Sequence, residues 1–420
     1  MFIIPSSAKS WVPGANDSNF PIQNLPYCSL EGDEFQSIYT RIGDFVVSLE
    51  ALQNAGLLRP DFAVWESTAF AFSSHTERAE LRESLYNLFM EGNQALGQNH
   101  ALQSELLIPV ADVTFQIPFY IRQFVDFYSG INHASNVGMM FRPDQPPLLP
   151  NYRHIPVGYN GRASSVVISG EPIVRPNGQT KGPNDEMPSW GPSKELDFEL
   201  EMGLFTGSPN RMGEPLTMDD ADKSIIGINI VNDWSARDVQ RWEYQPLGPF
   251  LAKSFATSIS PYVVTLDALE PFRVPGTEQE PAPLPYLAES GNRVYDIHLE
   301  VWLQTEKMDQ PERICLSNAK HLYWSFRQQL VHQCSNGTPV EPGDLYGTGT
   351  ISGTEPDSFG SLLELTWRGQ KPITLHSTGE TRTFLHDGDE LTIRAFCQGD
   401  GFRIGFGEVK TKILPAPQFP

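Results

Sequence analysis

Along residues 197–205, DFELEMGLF, apolar and acidic positions alternate. Phe198, Leu200, Met202 and Leu204 fall on one face of a strand, and Asp197, Glu199 and Glu201 on the other. Acidic residues are depleted in strands and like charges side by side repel, so the pattern needs a reason. Glu199 and Glu201 would sit about 6.6–6.8 Å apart along the strand, close enough to lean towards one hard cation. An edge strand with a wet acidic face is the plainer alternative.

The same reading predicts strands over 164–170, 224–233, 260–269, 294–304, 362–367, 390–396 and 402–409. One helix interrupts them. Ser317 can cap 318–334, and Asn336-Gly337 supplies the stop. Nearer the N-terminus, Gly43-Asp44-Phe45-Val46-Val47 reads as a strand, and Leu81, Leu85, Leu88 and Phe89 form one apolar helical face. Residues 106–120 read as a connector into a larger second domain. The Pro-rich segments 171–194 and 269–288 read as irregular surface loops. The class expected is mainly β (α+β) in two domains, 1–117 and 118–420.

Composition narrows the function more than the fold. Among 420 residues, 51 are Asp or Glu and 30 are Lys or Arg, a formal net charge of -21. Such a surface repels phosphate backbones and anionic lipid, so no nucleic-acid or membrane partner is expected. Gly and Pro number 34 and 35, which favours turns and long ordered loops over a helix bundle. No apolar run reaches the length of a membrane span, and Met1–Gly14 has no signal-peptide core. Cys28, Cys315, Cys334 and Cys397 are scattered, which fits free thiols in a reduced intracellular compartment.

Three further stretches hold polar groups that no apolar period explains. In INIVNDWSARDVQRWEY, 228–244, Asp233 ends an apolar strand and is either a helix N-cap or a further ligand. Arg237, Gln240 and Tyr244 then share one helical face, either solvated or facing an anionic oxygen. In DFYSGINHASNVGMMFR, 126–142, Asp126, Tyr128, His133 and Arg142 lie in what reads as an irregular stretch. In 347–367 a Gly/Thr-rich loop leads to Glu364, between Leu363 and Leu365, where burial would raise its pKa unless a cation partners it. Lys253 and Thr257 could touch a ligand, and Lys253 could equally be a surface lysine. No serine-hydrolase elbow, phosphate-binding loop, dinucleotide fingerprint or zinc spacing is present.

Taken together these segments resemble the fumarylacetoacetate hydrolase family. The resemblance rests on FPIQNLPY, DFYSGINHASNVGMMFR, IPVGYNGRASS, LDFELEMGLF, NDWSARDVQRWEYQPLGPFLAKSFATSISP, GTISGTEPDSFGSLLELTW and FCQGDGFRIGFGEV. It runs almost without break over 118–410 and is thin over 29–117. Asn160 stands where the family pattern has His, and 144–149 diverges.

The resemblance implies a small N-terminal barrel of the Src-homology-3 type and a C-terminal β-rich roll carrying the site and a homodimer contact. It implies Ca²⁺ held by Asp126, Glu199, Glu201 and Asp233, and Mg²⁺ near Asp233, Lys253 and Thr257, Lys253 by its carbonyl. Asp197 has no role in the pattern. A His133–Glu364 dyad would activate water, with Arg237, Gln240 and Lys253 donating to the alkoxide. Tyr128, Arg142, Tyr159, Gln240, Tyr244 and Thr350 would hold a dianionic diketo-acid substrate. The activity implied is cytoplasmic hydrolysis of a 1,3-diketone carbon–carbon bond, closing tyrosine and phenylalanine degradation. Related metal-dependent decarboxylases, isomerases and hydratases of oxo-acids share the acidic triad. A non-catalytic Ca²⁺-stabilised protein is the remaining alternative.

Overall fold

The apolar runs over 200–206 and 225–233 become the two middle strands of a seven-stranded sheet, buried on both faces. The computed structural model describes residues 1–32 and 36–418. Across this mixed sheet the order is Gly158–Asn160, Phe124–Phe127, Leu345–Gly347, Leu200–Thr206, Ile225–Asp233, Thr257–Ile259 and Val166–Ile168. Phe127, Leu200, Met202, Leu204, Ile228 and Ile230 point from one face into a large core shared with a five-stranded sheet. That second sheet runs Glu312–Asn318, His298–Gln304, Glu390–Gln398, Arg403–Leu414 and Ile173–Val174. Phe124, Phe205, Val231, Ile259 and Leu345 point from the opposite face into a core shared with residues 4–119.

The N-terminal part is a small β domain with helices. Its five strands run Ile108–Pro109, Phe45–Ser48, Tyr39–Ile42, Tyr27–Leu30 and Phe115–Gln116. The expected connector thus supplies both edge strands. The His75–Phe89 helix buries Leu81, Leu85, Leu88 and Phe89, as its period predicts, and Ser74 with Glu77 closes its N-terminus in a capping box. All four cysteines are free and buried. No helix of the described residues is long and apolar enough to cross a membrane.

Several local expectations fail for identifiable reasons. Residues 362–367 are a short helix, Leu362–Leu365, because Ser361 caps it and a polar network holds Glu364 inward. The helix expected over 318–334 begins later, at Phe326, where Ser325 and Gln328 form a capping box; Ser317 lies inside the Glu312–Asn318 strand instead. Residues 260–269 make isolated bridges and a helical turn, Leu266–Leu269. The Pro-rich 171–194 stretch folds as a hairpin, Asn177–Thr180 with Ser189–Pro192. The stretch taken as irregular at 126–142 is a strand end followed by a helix, Ile131–Phe141. Polar His133 and Asn136 on its buried face hid the helical period.

Asp344, at the entry to the Leu345–Gly347 strand, is 2% exposed, and its Oδ1 has no hydrogen-bond partner. Burial raises its pKa from 3.8 to about 6. A raised carboxyl binds its proton more tightly folded than unfolded, so native stability falls as pH rises from about 4 to about 6. Between pH 4 and pH 7.5, Asp344→Asn is expected to gain about 2–3 kcal/mol relative to the parent in denaturant unfolding. A difference that does not change with pH would refute the assignment.

Candidate active site and metal centre

Three strands of the central sheet bring their acids to the same face. Asp126 sits on the Phe124–Phe127 strand, Glu201 on Leu200–Thr206 and Asp233 at the end of Ile225–Asp233. Glu199 precedes its strand, anchored where its amide donates to Asn232 Oδ1 at 3.1 Å. Between the strands of Asp126 and Glu201 lies Gly347, whose added Cβ would come within 2.8 Å of Glu201 Oε2 and 3.1 Å of Asp126 Oδ1. A glycine there leaves room between the two carboxylates. One oxygen from each of the four acids lies within 4.8 Å of the others, and all four side chains are buried. The wet acidic face is therefore excluded. Asp233 is a strand-end residue, not a helix cap, since the next helix starts at Arg237 with Ala236 before it.

Two cations answer this charge. Lys253 Nζ bonds Glu199 Oε2 at 2.6 Å and Asp233 Oδ2 at 2.9 Å. Arg237 Nη1 bonds Glu199 Oε1 at 2.8 Å and donates to Gln240 Oε1 at 3.2 Å. The surface reading of Lys253 fails, because its side chain is buried among these acids. Thr257 Oγ1 and Tyr159 OH donate to Asp233 at 2.9 and 3.0 Å.

The electrostatics divide the cluster. Burial raises Asp126 and Glu201 well above the usual carboxylate range, and the neighbouring acids add to it. Burial also raises Asp233, against the pull of Lys253. Glu199 moves the other way: burial works upward, but Lys253 and Arg237 outweigh it and hold the carboxyl low. Burial works to lower Lys253, and Asp233 and Glu199 more than reverse this. Asp126 Oδ1 and Glu201 Oε1 are buried without any partner. Orphaned, repelling oxygens converging on one point are a donor set for a hard divalent cation, and the residues present fit one.

His133, on the Ile131–Phe141 helix, bonds Glu364 Oε2 through Nδ1 at 2.6 Å, with both side chains buried. Asn136 donates to Glu364 Oε1 at 2.8 Å, and Ser352 and Ser361 to Oε2 at 2.8 and 2.9 Å. Burial acts to raise the Glu364 pKa, yet the charge of His133 and these hydrogen bonds together leave it below its ordinary value. Tyr128 stands edge-on to the His133 ring, centroids 5.3 Å apart. Burial raises the Tyr128 phenol, and the charges of Glu364 and Glu199 add to it against the pull of Arg237 and Arg142. Thr350 Oγ1 is buried without a partner.

Arg142 ends the His133 helix, donates to Pro147 O at 3.0 Å and keeps its Nε buried without a partner. Tyr244 is 41% exposed at the end of the Arg237–Glu243 helix, so the predicted three-residue face is complete only for Arg237 and Gln240. Asn136, Ser352 and Ser361 were missed by sequence reasoning. Asn136 lies three residues from His133 and becomes visible once that segment is read as a helix.

Residues 123–414 match the fumarylacetoacetate (FAA) hydrolase C-terminal family, and residues 23–118 the fumarylacetoacetase N-terminal family. The chain belongs to the fumarylacetoacetase family. It is 48% identical over 415 residues to the fumarylacetoacetase of Rattus norvegicus, covering 97% of this chain and 99% of that protein. To the fumarylacetoacetase of Oryza sativa subsp. japonica it is 44% identical over 423 residues, covering 98% of each. Among solved structures, the fumarylacetoacetate hydrolase of psychrophilic Exiguobacterium antarcticum has the same fold. It aligns over 93% of this chain and 99% of that one, with a TM-score of 0.51 at 16% identity. As a member of the fumarylacetoacetase family this chain is an enzyme, a hydrolase acting on carbon–carbon bonds in ketonic substances.

If the acid cluster holds a cation, Glu201→Gln should lower cation content at least about tenfold, measured by mass spectrometry of the purified protein. Turnover should fall with it. Unchanged content would remove Glu201 from the ligand set.

Proposed function

We propose that the protein hydrolyses 4-fumarylacetoacetate to fumarate and acetoacetate, the last step of tyrosine and phenylalanine degradation. The observation that carries the reading is the buried His133–Glu364 hydrogen bond of 2.6 Å together with the buried cluster of four carboxylates. A non-catalytic cation-binding protein has no use for a base so placed, and the related decarboxylases and isomerases need no water activated there.

Asp126, Glu199, Glu201 and Asp233 would hold one Ca²⁺. That cation would supply Lewis-acid polarisation of the diketone. The second, Mg²⁺ site would use Asp233, Thr257 and the main-chain carbonyl of Lys253, because a lysine ammonium has no lone pair to offer a metal. In the reaction, neutral His133 takes a proton through Nε2 from the attacking water. Glu364 accepts the hydrogen bond from Nδ1–H, fixes the tautomer and stabilises the imidazolium. The water oxygen bonds to the carbonyl carbon, and the adjacent carbon–carbon bond then breaks. Its electron pair leaves on an acetoacetate enolate, which takes up the proton held by His133.

Arg237 Nη2 is buried with no partner, a free donor for the developing alkoxide. The Gln240 amide NH₂, turned from Arg237, and the third N–H of Lys253 complete the donor set. Arg142, with a planar fork suited to a carboxylate, and Tyr128, Tyr159, Tyr244 and Thr350 would hold the dianionic substrate. On the same reading the chain divides near residue 117, works as a homodimer and acts in the cytoplasm.

The test is disappearance of the substrate's near-ultraviolet absorbance, with fumarate and acetoacetate identified as products. His133 is fully buried, so His133→Gln, which retains hydrogen-bonding capacity towards Glu364, is a better probe than alanine. It should cost about 10²–10⁴-fold in kcat. Cation content and melting temperature should stay near the parent's. Near-normal turnover by this variant would discard the dyad, and an inactive parent would discard the substrate.

A further inference from the structure

Asp197 lies two residues from Glu199 yet does not belong to the acid cluster. Its strand ends there: Leu196–Asp197 pairs with Ser235–Ala236, and a separate strand begins at Leu200. Across this break Asp197 meets Glu199 only through Arg237, whose Nε bonds Asp197 and whose Nη1 bonds Glu199, each at 2.8 Å. The Asp197 carboxylate is 0% exposed and accepts four hydrogen bonds. Oδ1 accepts from the amides of Phe198 and Leu362 at 2.9 and 2.7 Å. Oδ2 accepts from Arg237 Nε at 2.8 Å and from the Leu363 amide at 3.0 Å.

These partners belong to the two halves of the chemistry. Leu362 and Leu363 open the four-residue helix whose third residue is Glu364. A single turn has no stability of its own, and its first amides have no partner inside the helix. Asp197 supplies that partner and so fixes the turn from which Glu364 reaches His133. Through Oδ2 the same carboxylate grips Arg237 by Nε. With Nη1 held by Glu199 and Gln240, the grip leaves Nη2 as the free corner of the guanidinium.

We propose that Asp197 is a positioning residue for the reaction. It ties the alkoxide donor Arg237 to the His133–Glu364 base, so that both address one substrate carbonyl. The inference rests on the reading above that these groups act on the substrate. Asn at this position retains one acceptor oxygen but presents an NH₂ to Arg237 or to the backbone amides, so it breaks the tie with little change in volume.

The experiment is a double-mutant cycle read in kcat and KM on fumarylacetoacetate, using full-length protein with cation content and melting checked. Asp197→Asn should lower kcat about 10²-fold. KM should change far less than kcat, because the groups that hold the substrate carboxylates are untouched. Combined with Arg237→Gln, it should cost less than the product of the two single losses, since the part of its effect that runs through Arg237 is already gone and only the part through the Glu364 turn remains. As a ground-state readout, the downfield proton resonance of the His133 Nδ1–H should shift in Asp197→Asn, because the turn carrying Glu364 moves.

Parent-like kcat in Asp197→Asn, costs that multiply in the double variant, or an unmoved resonance would each overturn the proposal. An inactive parent would sink the substrate reading, while the resonance would still report on the tie. If Asp197→Asn does not fold, Asp197→Glu takes its place. It keeps the charge but displaces it by one methylene, and the same kcat loss and the same non-additivity are expected.

Discussion

Four carboxylates held within a few ångströms of one another in a buried site repel strongly, and the surrounding structure is organised by how that repulsion is answered. Lys253 and Arg237 answer part of it, and both favour Glu199: each bonds a different oxygen of that one residue. Asp126 and Glu201 are left with orphaned oxygens and with pKa values pushed up by burial and by one another. Arg237 is moreover shared with buried Asp197, so the two cations leave the four acids under-neutralised and a divalent ion would take up that excess. The same pair of cations keeps the pocket tolerable for an anionic substrate.

The central sheet makes the arrangement rigid. The acids project from neighbouring strands whose other face is packed in the largest core of the protein, and the strand of Gly347 lies between Asp126 and Glu201. Glu201 Oε2 is further fixed by the Gly349 amide at 3.0 Å. Rigid strands carry the charges that must not spread, whereas the dyad and the donors come from the helices Ile131–Phe141, Arg237–Glu243, Leu251–Ser254 and Leu362–Leu365. Asp197 and the serines around Glu364 then join those helices to the sheet and to one another. Precision here comes from polar ties, because four-residue helices bury too little apolar surface to place a side chain unaided.

The acids at 199 and 201 were legible because period two is a strong constraint and carboxylates violate it visibly. So was the partnership of Arg237 with Gln240, one turn apart on a helix. The resemblance of the motifs then named the chemistry. What stayed hidden has a common cause: polar residues on buried faces. His133 and Asn136 masked a helix, and Glu364 between two leucines fits a strand until its remote partners His133 and Asn136 and the cap from Ser361 are known. Asp197 read as part of the acidic face because a break in a strand leaves no mark in the alternation that precedes it. The late start of the Phe326–Cys334 helix was readable in Ser325 and Gln328, had the capping box been weighed above the run of apolar residues before it.

The central claim is that these four acids stay together to hold one divalent cation. Its most direct test is diffraction from crystals grown with Mn²⁺, an anomalously scattering stand-in for a hard oxygen-seeking ion. A strong anomalous peak is expected within ligand distance of Asp126, Glu199, Glu201 and Asp233, whether or not a second one marks the site at Asp233, Thr257 and the Lys253 carbonyl. No peak at the four acids while their side chains keep the same positions would contradict it.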